Sequence, residues 1–173
     1  HELSYVGLPG YNEDVLLLHS GGGVMTAAGA EKFPARMSAS GIAAGAIASR
    51  FIAKLSGFEN SISLDMGGTS TDISLVDRGE LPITNDWHVE YGYPIRFPSI
   101  EVLTIGAGGG SLAWIDRAGS LRNGPQSAGA TPGPVCYNRG GDQPTNTDAN
   151  VFLGRLGTKL AGGSIELDST LAE

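Results

Sequence analysis

Apolar residues alternate with small polar ones over residues 61–77, Ser-Ile-Ser-Leu-Asp-Met-Gly-Gly-Thr-Ser-Thr-Asp-Ile-Ser-Leu-Val-Asp. This alternation predicts strands over 62–66 and 73–76. The Gly-Gly-Thr-Ser-Thr between them predicts a hairpin, because glycine accepts backbone angles that other residues avoid. Such a turn brings Asp65 and Asp72 to the same end of a sheet, with amides and hydroxyls between them. Amides and hydroxyls can hold phosphate oxygens, and a carboxylate can hold Mg2+ or its waters. The stretch therefore reads as a nucleotide-phosphate hairpin.

The remaining pattern is taken in chain order. Residues 14–20 read as a buried strand, turning at Gly21-Gly22-Gly23 into a second strand at Val24-Met25-Thr26. His19 and Ser20 beside three glycines fit either a structural turn or a binding loop. A short helix and a loop broken by Pro34 follow over 26–36. Residues 42–55 predict a helix capped by Ser38 or Ser40 and ended by Ser56-Gly57, with Ile42, Ala46, Ile47, Phe51 and Leu55 as its apolar stripe. Its N-terminus suits core packing and also an anion, since free amides and the helix dipole favour negative charge there.

Beyond the hairpin, residues 77–80 predict a turn and residues 81–100 short strands broken at Pro82, Pro94 and Pro98. His88, grouped with Trp87, Tyr91 and Tyr93, reads as part of a surface strand. A second glycine centre follows: a strand over 102–105, the loop Gly106-Ala-Gly-Gly-Gly-Ser111, and a strand over 112–115. With almost no side chains, that loop can admit a flat ring or a phosphate. It is not the dinucleotide fingerprint, because no helix pattern follows it. Residues 117–145 are turn-rich without a strand pattern and too long for a plain connection, so they are functional or covered by a partner. Residues 147–156 read as a capped short helix. Cys136 has no evident histidine base and reads as a buried thiol.

Composition sharpens the picture in three ways. The chain has 173 residues, 40% of them hydrophobic, which suffices for one domain with a core. Its 27 glycines and 17% charged residues, against a typical ~25%, describe a polypeptide largely covered by itself or by neighbours. A net charge of −7, with eleven scattered basic residues, argues against a nucleic-acid partner. One cysteine excludes a disulfide framework and fits a reducing, cytoplasmic compartment, and no apolar run approaches a membrane span. The chain opens at His1, without Met or a signal pattern, and so reads as a single partial domain over 1–173, truncated at both ends.

Four ordered segments together resemble the hydantoinase A / 5-oxoprolinase family, which includes the ATP-using subunits of acetone and acetophenone carboxylases. They are Asp65-Met-Gly-Gly-Thr-Ser-Thr-Asp72, the run from Thr104 to Asp116, the run from Gly124 to Tyr137, and Thr145-Asn-Thr-Asp-Ala-Asn150. Ser20-Gly-Gly-Gly-Val-Met25 and Ser40-Gly-Ile-Ala-Ala-Gly45 resemble the segments that precede them. The resemblance implies an α/β fold: a ribonuclease-H-like lobe of an actin/hexokinase-type ATPase, with a mixed sheet, flanking helices and glycine-rich loops. It implies ATP and Mg2+ as cofactors, a cyclic-amide or ketone substrate, and a hydantoinase B-type subunit or domain as partner.

On this resemblance Asp65 would bind Mg2+ or orient water, and Gly67, Gly68, Thr69 and Ser70 would hold phosphate. Asp72 would brace the hairpin or assist as a base. Gly106, Gly108, Gly109, Gly110 and Ser111 would lie near the nucleotide. Phosphorylation of an amide oxygen would activate a lactam toward water; in the carboxylases the phosphorylated enolate would be carboxylated. A non-catalytic nucleotide-binding scaffold is the third reading. This chain departs from the family pattern in placing Ile42 where a proline is frequent, Glu101 at an aspartate position and Leu103 at a histidine position. The first phosphate loop of such proteins is expected upstream of the hairpin and is absent from these 173 residues.

Overall fold

The computed structural model describes residues 15–89 and 93–173. By contacts the chain divides into two compact units, one holding Ile73–Leu103 and the residues before Leu64, the other holding Leu64–Asp72 and Thr104–Glu173. The strands of the central hairpin, β3 (Ser61–Met66) and β4 (Thr71–Val76), form a three-stranded sheet with β9 (Val102–Ile105) in the order β3-β4-β9. The alternating pattern thus yields the predicted hairpin, longer by one residue in β3 and by two in β4.

In the first unit, β1 (Leu16–Leu18) and β2 (Val24–Thr26) pair antiparallel around Gly22, whose φ of +84° suits the turn. Ser20 is buried: its amide and hydroxyl both donate to the Arg36 carbonyl, at 2.8 Å each, and its Oγ accepts from Ala39 N at 3.1 Å. His19 Nδ1 accepts from Gly21 N. The His19–Ser20 loop is therefore a structural turn, its polar groups engaged within the chain.

Helix α1 (Ala27–Lys32) and a 3-10 turn at Pro34–Met37 lead into α2 (Ser40–Leu55). Neither Ser38 nor Ser40 caps α2: Ala39 occupies the cap position without a side-chain bond, and Ser38 Oγ donates to Ala35 O instead. The apolar stripe agrees with expectation at Ala46 and Ile47 and differs elsewhere. Ala43, Ala46 and Ala53 are the buried residues, whereas Phe51 and Leu55 are exposed. Small side chains line the packed face because they let the helix come close to its neighbours. The core there joins Ala43 and Ala46 to Val76, Leu81 and Ile100, flanked by Leu18, Ile47 and Val102.

The Asp77–Glu80 turn forms as expected, with Arg78 and Gly79 both at positive φ. Asn60 Oδ1 accepts from Arg78 N at 2.8 Å and holds this non-glycine residue there. Strands β5 (Ile83–Thr84) and β8 (Ser99–Ile100) pair with each other. So do β6 (Trp87–Val89) and β7 (Tyr93–Ile95), with His88 opposite Pro94. Tyr91, part of the aromatic grouping read from sequence, lies outside the described residues.

In the second unit β10 (Ser111–Ile115) pairs antiparallel with β11 (Leu121–Ser127), a strand inside the stretch predicted to be turns. Its sequence, Leu-Arg-Asn-Gly-Pro-Gln-Ser, hides the strand because Gly124 (φ +64°) and Pro125 interrupt the alternation. The register shows why both fit. Ser111 faces Ser127 and Ala113 faces Asn123, so three residues of β11 bulge opposite one of β10. Helix α3 (Asn146–Phe152) starts before the predicted position, capped by Thr145. Strands β12 (Lys159–Leu160) and β13 (Ile165–Glu166) close the chain. This unit's core is Cys136, Val151 and Leu167, so the cysteine is the buried thiol expected of it. Among the described residues, no helix is long and apolar enough to cross a membrane.

Candidate functional site

Most of the residues singled out from sequence lie in the second unit, on two glycine loops that touch. The first is the hairpin tip Gly67–Ser70, closed by Gly67 N donating to Ser70 O at 2.9 Å. Gly67, Gly68 and Thr69 are exposed. The amides of Gly68, Thr69 and Ser70 and the hydroxyls of Thr69 and Ser70 donate to no group among the described residues. Three consecutive unengaged amides, on a turn whose Thr69–Ser70 backbone is closely backed by Gly108, are a donor array that suits an anion.

The two acids differ. Asp72 is half-buried and accepts a 2.6 Å bond from Thr104 Oγ1. Asp65 is exposed and has neither a hydrogen-bond donor nor a cation beside it among the described residues. The carboxylate left available beside the donor array is therefore Asp65. Among the described residues no group of three or more His, Cys, Asp or Glu side chains is placed to hold a metal. A single carboxylate nevertheless fits Mg2+, which keeps several waters and takes further oxygens from phosphates.

The second loop, Gly106–Ser111, is organised differently. Gly108, Gly110 and Ser111 are buried. Gly108 N donates to Ser111 Oγ at 2.8 Å, Gly109 N to Gly67 O at 2.9 Å, and Gly110 N to Gly68 O at 2.6 Å. A Cβ on Gly108 would lie 2.7 Å from backbone atoms of Thr69 and Ser70, so only glycine permits this approach. Thr71 Oγ1 adds a 2.5 Å bond to Ala107 O. The amides of Gly108, Gly109 and Gly110 thus hold the chain to itself, two of them to the carbonyls of the first loop.

Behind the second loop stands the start of α3. Asn146 Nδ2 donates to Gly108 O at 2.8 Å, and Thr147 donates to Gly109 O through its amide at 2.8 Å and its hydroxyl at 2.9 Å. Asp148 is buried and accepts from Thr145 N (2.9 Å), Thr145 Oγ1 (2.8 Å), Cys136 N (2.8 Å) and Val135 N (3.3 Å). Burial pushes its carboxyl upward. The donors from Cys136 and Thr145 outweigh that and hold it below the ordinary carboxylate value. Desolvation, reinforced by the Asp148 charge, pushes the Cys136 thiol up to about 12, so it is protonated and unreactive at neutral pH.

Asn146, Thr147 and Asp148 were not assigned roles from sequence. The available signal was Thr145-x-x-Asp148, a capping-box spacing with Asp in the acidic position. It marks the helix start but not what that start touches. Thr71 and Thr104 carried no local signal, because their partners lie 36 and 32 residues away.

A family model described as hydantoinase/oxoprolinase matches residues 5–173. The chain belongs to the hydantoinase/oxoprolinase family. Among its relatives, an uncharacterised protein of Methanocaldococcus jannaschii is 43% identical over 95% of this chain and 26% of its own length. The caprolactamase α subunit of Pseudomonas jessenii is 50% identical over 70% of this chain and 17% of its own. The structure of that ATP-dependent caprolactamase superimposes with a TM-score of 0.73 at 42% identity, over 90% of this chain and 22% of the solved one. A nucleotide-free structure of acetone carboxylase, which carries out ATP-dependent acetone carboxylation, gives 0.75 at 29% identity, over 92% and 22%. The α/β architecture of small mixed sheets is thus that of known family structures, and the chain spans about a quarter or less of these relatives.

Proposed function

We propose that this chain carries one phosphate-binding half of the Mg-ATP site of an ATP-dependent cyclic-amide hydrolase, within a ribonuclease-H-like lobe of the actin/hexokinase type. The observation that carries this reading is the hairpin tip: three unengaged amides and two unengaged hydroxyls on an exposed turn, one residue past the strand that bears the unpartnered Asp65. The amides of Gly68, Thr69 and Ser70 hold phosphate oxygens, and Asp65 takes the accompanying Mg2+ through an oxygen or a bound water. Asp72, tied to Thr104, braces the hairpin. Gly106, Gly108, Gly109, Gly110 and Ser111 serve the nucleotide by shaping the loop that meets it.

ATP held there would supply the phosphoryl group that activates a lactam oxygen, so that water adds to the ring carbon. The C–N bond then breaks with the nitrogen leaving as the amine, and phosphate is released by hydrolysis. The caprolactamase relative, an ATP-dependent enzyme named for a cyclic amide, supports this substrate class. The equally good superposition on acetone carboxylase supports a second reading, an ATP-using subunit of a ketone carboxylase. A further subunit or domain of hydantoinase B type completes either enzyme. Phosphate release by the complete protein and its partner separates the two readings. Stimulation by lactams, hydantoins or 5-oxoproline is expected; stimulation only by ketones with bicarbonate would transfer the chain to the carboxylases, and stimulation by neither class would leave a nucleotide-binding scaffold.

A further inference from the structure

The amides on the hairpin tip owe their direction to residues about eighty positions away. A trans peptide unit is planar, with its C=O and N–H pointing in opposite directions. In the Gly108–Gly109 peptide the carbonyl faces Asn146 Nδ2 and the amide faces Gly67 O. In the Gly109–Gly110 peptide the carbonyl faces Thr147 and the amide faces Gly68 O. The same rule then applies one step further. Gly67 O and Gly68 O are held by the second loop, so the amides sharing their peptide units, Gly68 N–H and Thr69 N–H, point away from it.

Two parallel relays result. One runs Asn146 Nδ2–H, Gly108 C=O, Gly109 N–H, Gly67 C=O, Gly68 N–H. The other runs Thr147 N–H and Oγ1–H, Gly109 C=O, Gly110 N–H, Gly68 C=O, Thr69 N–H. Hydrogen bonds in series polarise one another, by roughly 10–30% per bond, so each terminal amide is both aimed and strengthened as a donor. The relays are anchored where Asp148, buried and holding four donors, fixes Thr145 and the start of α3.

We infer that Asn146 and Thr147 are positioning residues for phosphate, acting through Gly108–Gly110 on the amides of Gly68 and Thr69. This rests on the reading of the hairpin tip as a phosphate site. Asn146 is well suited to a test because it is the first residue of α3. An acid there suits the helix dipole, so Asn146→Asp keeps the helix and keeps the oxygen that accepts from Asn123 Nδ2. It replaces the donor to Gly108 O with a repelling oxygen. Asn146→Leu removes the donor without adding charge, and Thr147→Ser keeps both donors to Gly109 O.

The experiment measures Mg-ATP affinity, adenosine affinity and melting temperature for each variant of the complete protein. The expected result is a Mg-ATP affinity about tenfold weaker for Asn146→Asp and about fivefold weaker for Asn146→Leu. Adenosine affinity stays unchanged in both while the melting temperature falls by a few degrees, as for any lost hydrogen bond of this kind, and Thr147→Ser matches the wild type. A merely structural role would lower the melting temperature to the same extent but leave the phosphate-dependent part of the affinity intact. If Asn146→Leu binds Mg-ATP as the wild type does, the relay is overturned, even when Asn146→Asp is weakened, because charge alone then explains it. Asp65→Ala, measured alongside, separates the two ideas. Wild-type Mg-ATP affinity in Asp65→Ala removes the phosphate site itself, whereas a weakened Asp65→Ala beside an unaffected Asn146→Leu removes only the relay.

Discussion

The two glycine loops use the same residue for opposite ends. At Gly68 a Cβ would meet nothing within 4 Å, the residue is exposed, and its amide is unengaged. At Gly108 a Cβ would collide with the backbone of Thr69 and Ser70, the residue is buried, and its amide is bonded to Ser111. Glycine in the first loop leaves a surface open; in the second it lets two backbones touch. A glycine-rich run is therefore not in itself a ligand signal. What distinguishes a contact loop from a supporting one is whether its amides already have partners.

The largest effect should fall on the supporting loop. Gly108→Val forces the 2.7 Å contacts apart, and should destabilise the fold by about 3 kcal/mol or more, seen as a lowered melting temperature or as loss of soluble protein. A stable Gly108→Val variant would break the comparison at its firmest point. Next comes the anchor behind that loop. Asp148→Ala leaves the amides of Val135, Cys136 and Thr145 without their acceptor, at a cost of about 3 kcal/mol in denaturant unfolding.

Asp148 also carries a pH signature. Its carboxyl titrates below the ordinary 3.8 in the folded protein. Its stabilising contribution is therefore complete above that value and is lost as pH falls through the folded one. Wild-type stability should fall on going from pH 5 to pH 3, and Asp148→Asn should lack that component of the fall. Identical acid limbs would show that the carboxylate is not held as described.

On the exposed side, Asp65→Ala should weaken Mg-ATP binding at least tenfold, or about 1.4 kcal/mol, with no loss of stability, because nothing among the described residues leans on that carboxylate. Titration calorimetry on the complete protein reads it. The smallest effect sharpens the boundary between the loops. Thr71→Val removes the hydroxyl bonded to Ala107 O, and should cost about 1 kcal/mol of stability while leaving the hairpin's unengaged donors in place.

Much of the fold was legible because strands and turns here have local causes. The alternation over residues 61–77 gave the hairpin, and Asp77-Arg-Gly-Glu80 gave the tight turn that follows it. Strand β11 was not legible, because a bulge at Gly124-Pro125 breaks the alternation while its pairing partner β10 lies ten residues earlier. The packed face of α2 was legible only in part: Ala46 is buried and Ile47 flanks the core as the periodicity predicts, but Ala43 and Ala53 are the other buried residues, while the larger Phe51 and Leu55 are exposed. In the candidate site, the sequence marked the loops and the two acids. The residue pattern alone did not separate Asp65 from Asp72, the resemblance gave the metal to Asp65, and the Thr104 bond that distinguishes them depends on a strand brought alongside from 32 residues away. The relays from α3 were invisible for the same reason, since peptide orientation is set by the folded backbone.

The central claim is that the first loop meets phosphate while the second holds it in place. Introducing one side chain at both sites tests it most directly, with melting temperature and Mg-ATP affinity measured on the complete protein. Gly68→Val should melt within about 2 °C of the wild type and lose Mg-ATP affinity by more than about tenfold, while Gly108→Val loses stability. A Gly68→Val protein that binds Mg-ATP as tightly as the wild type would contradict the account.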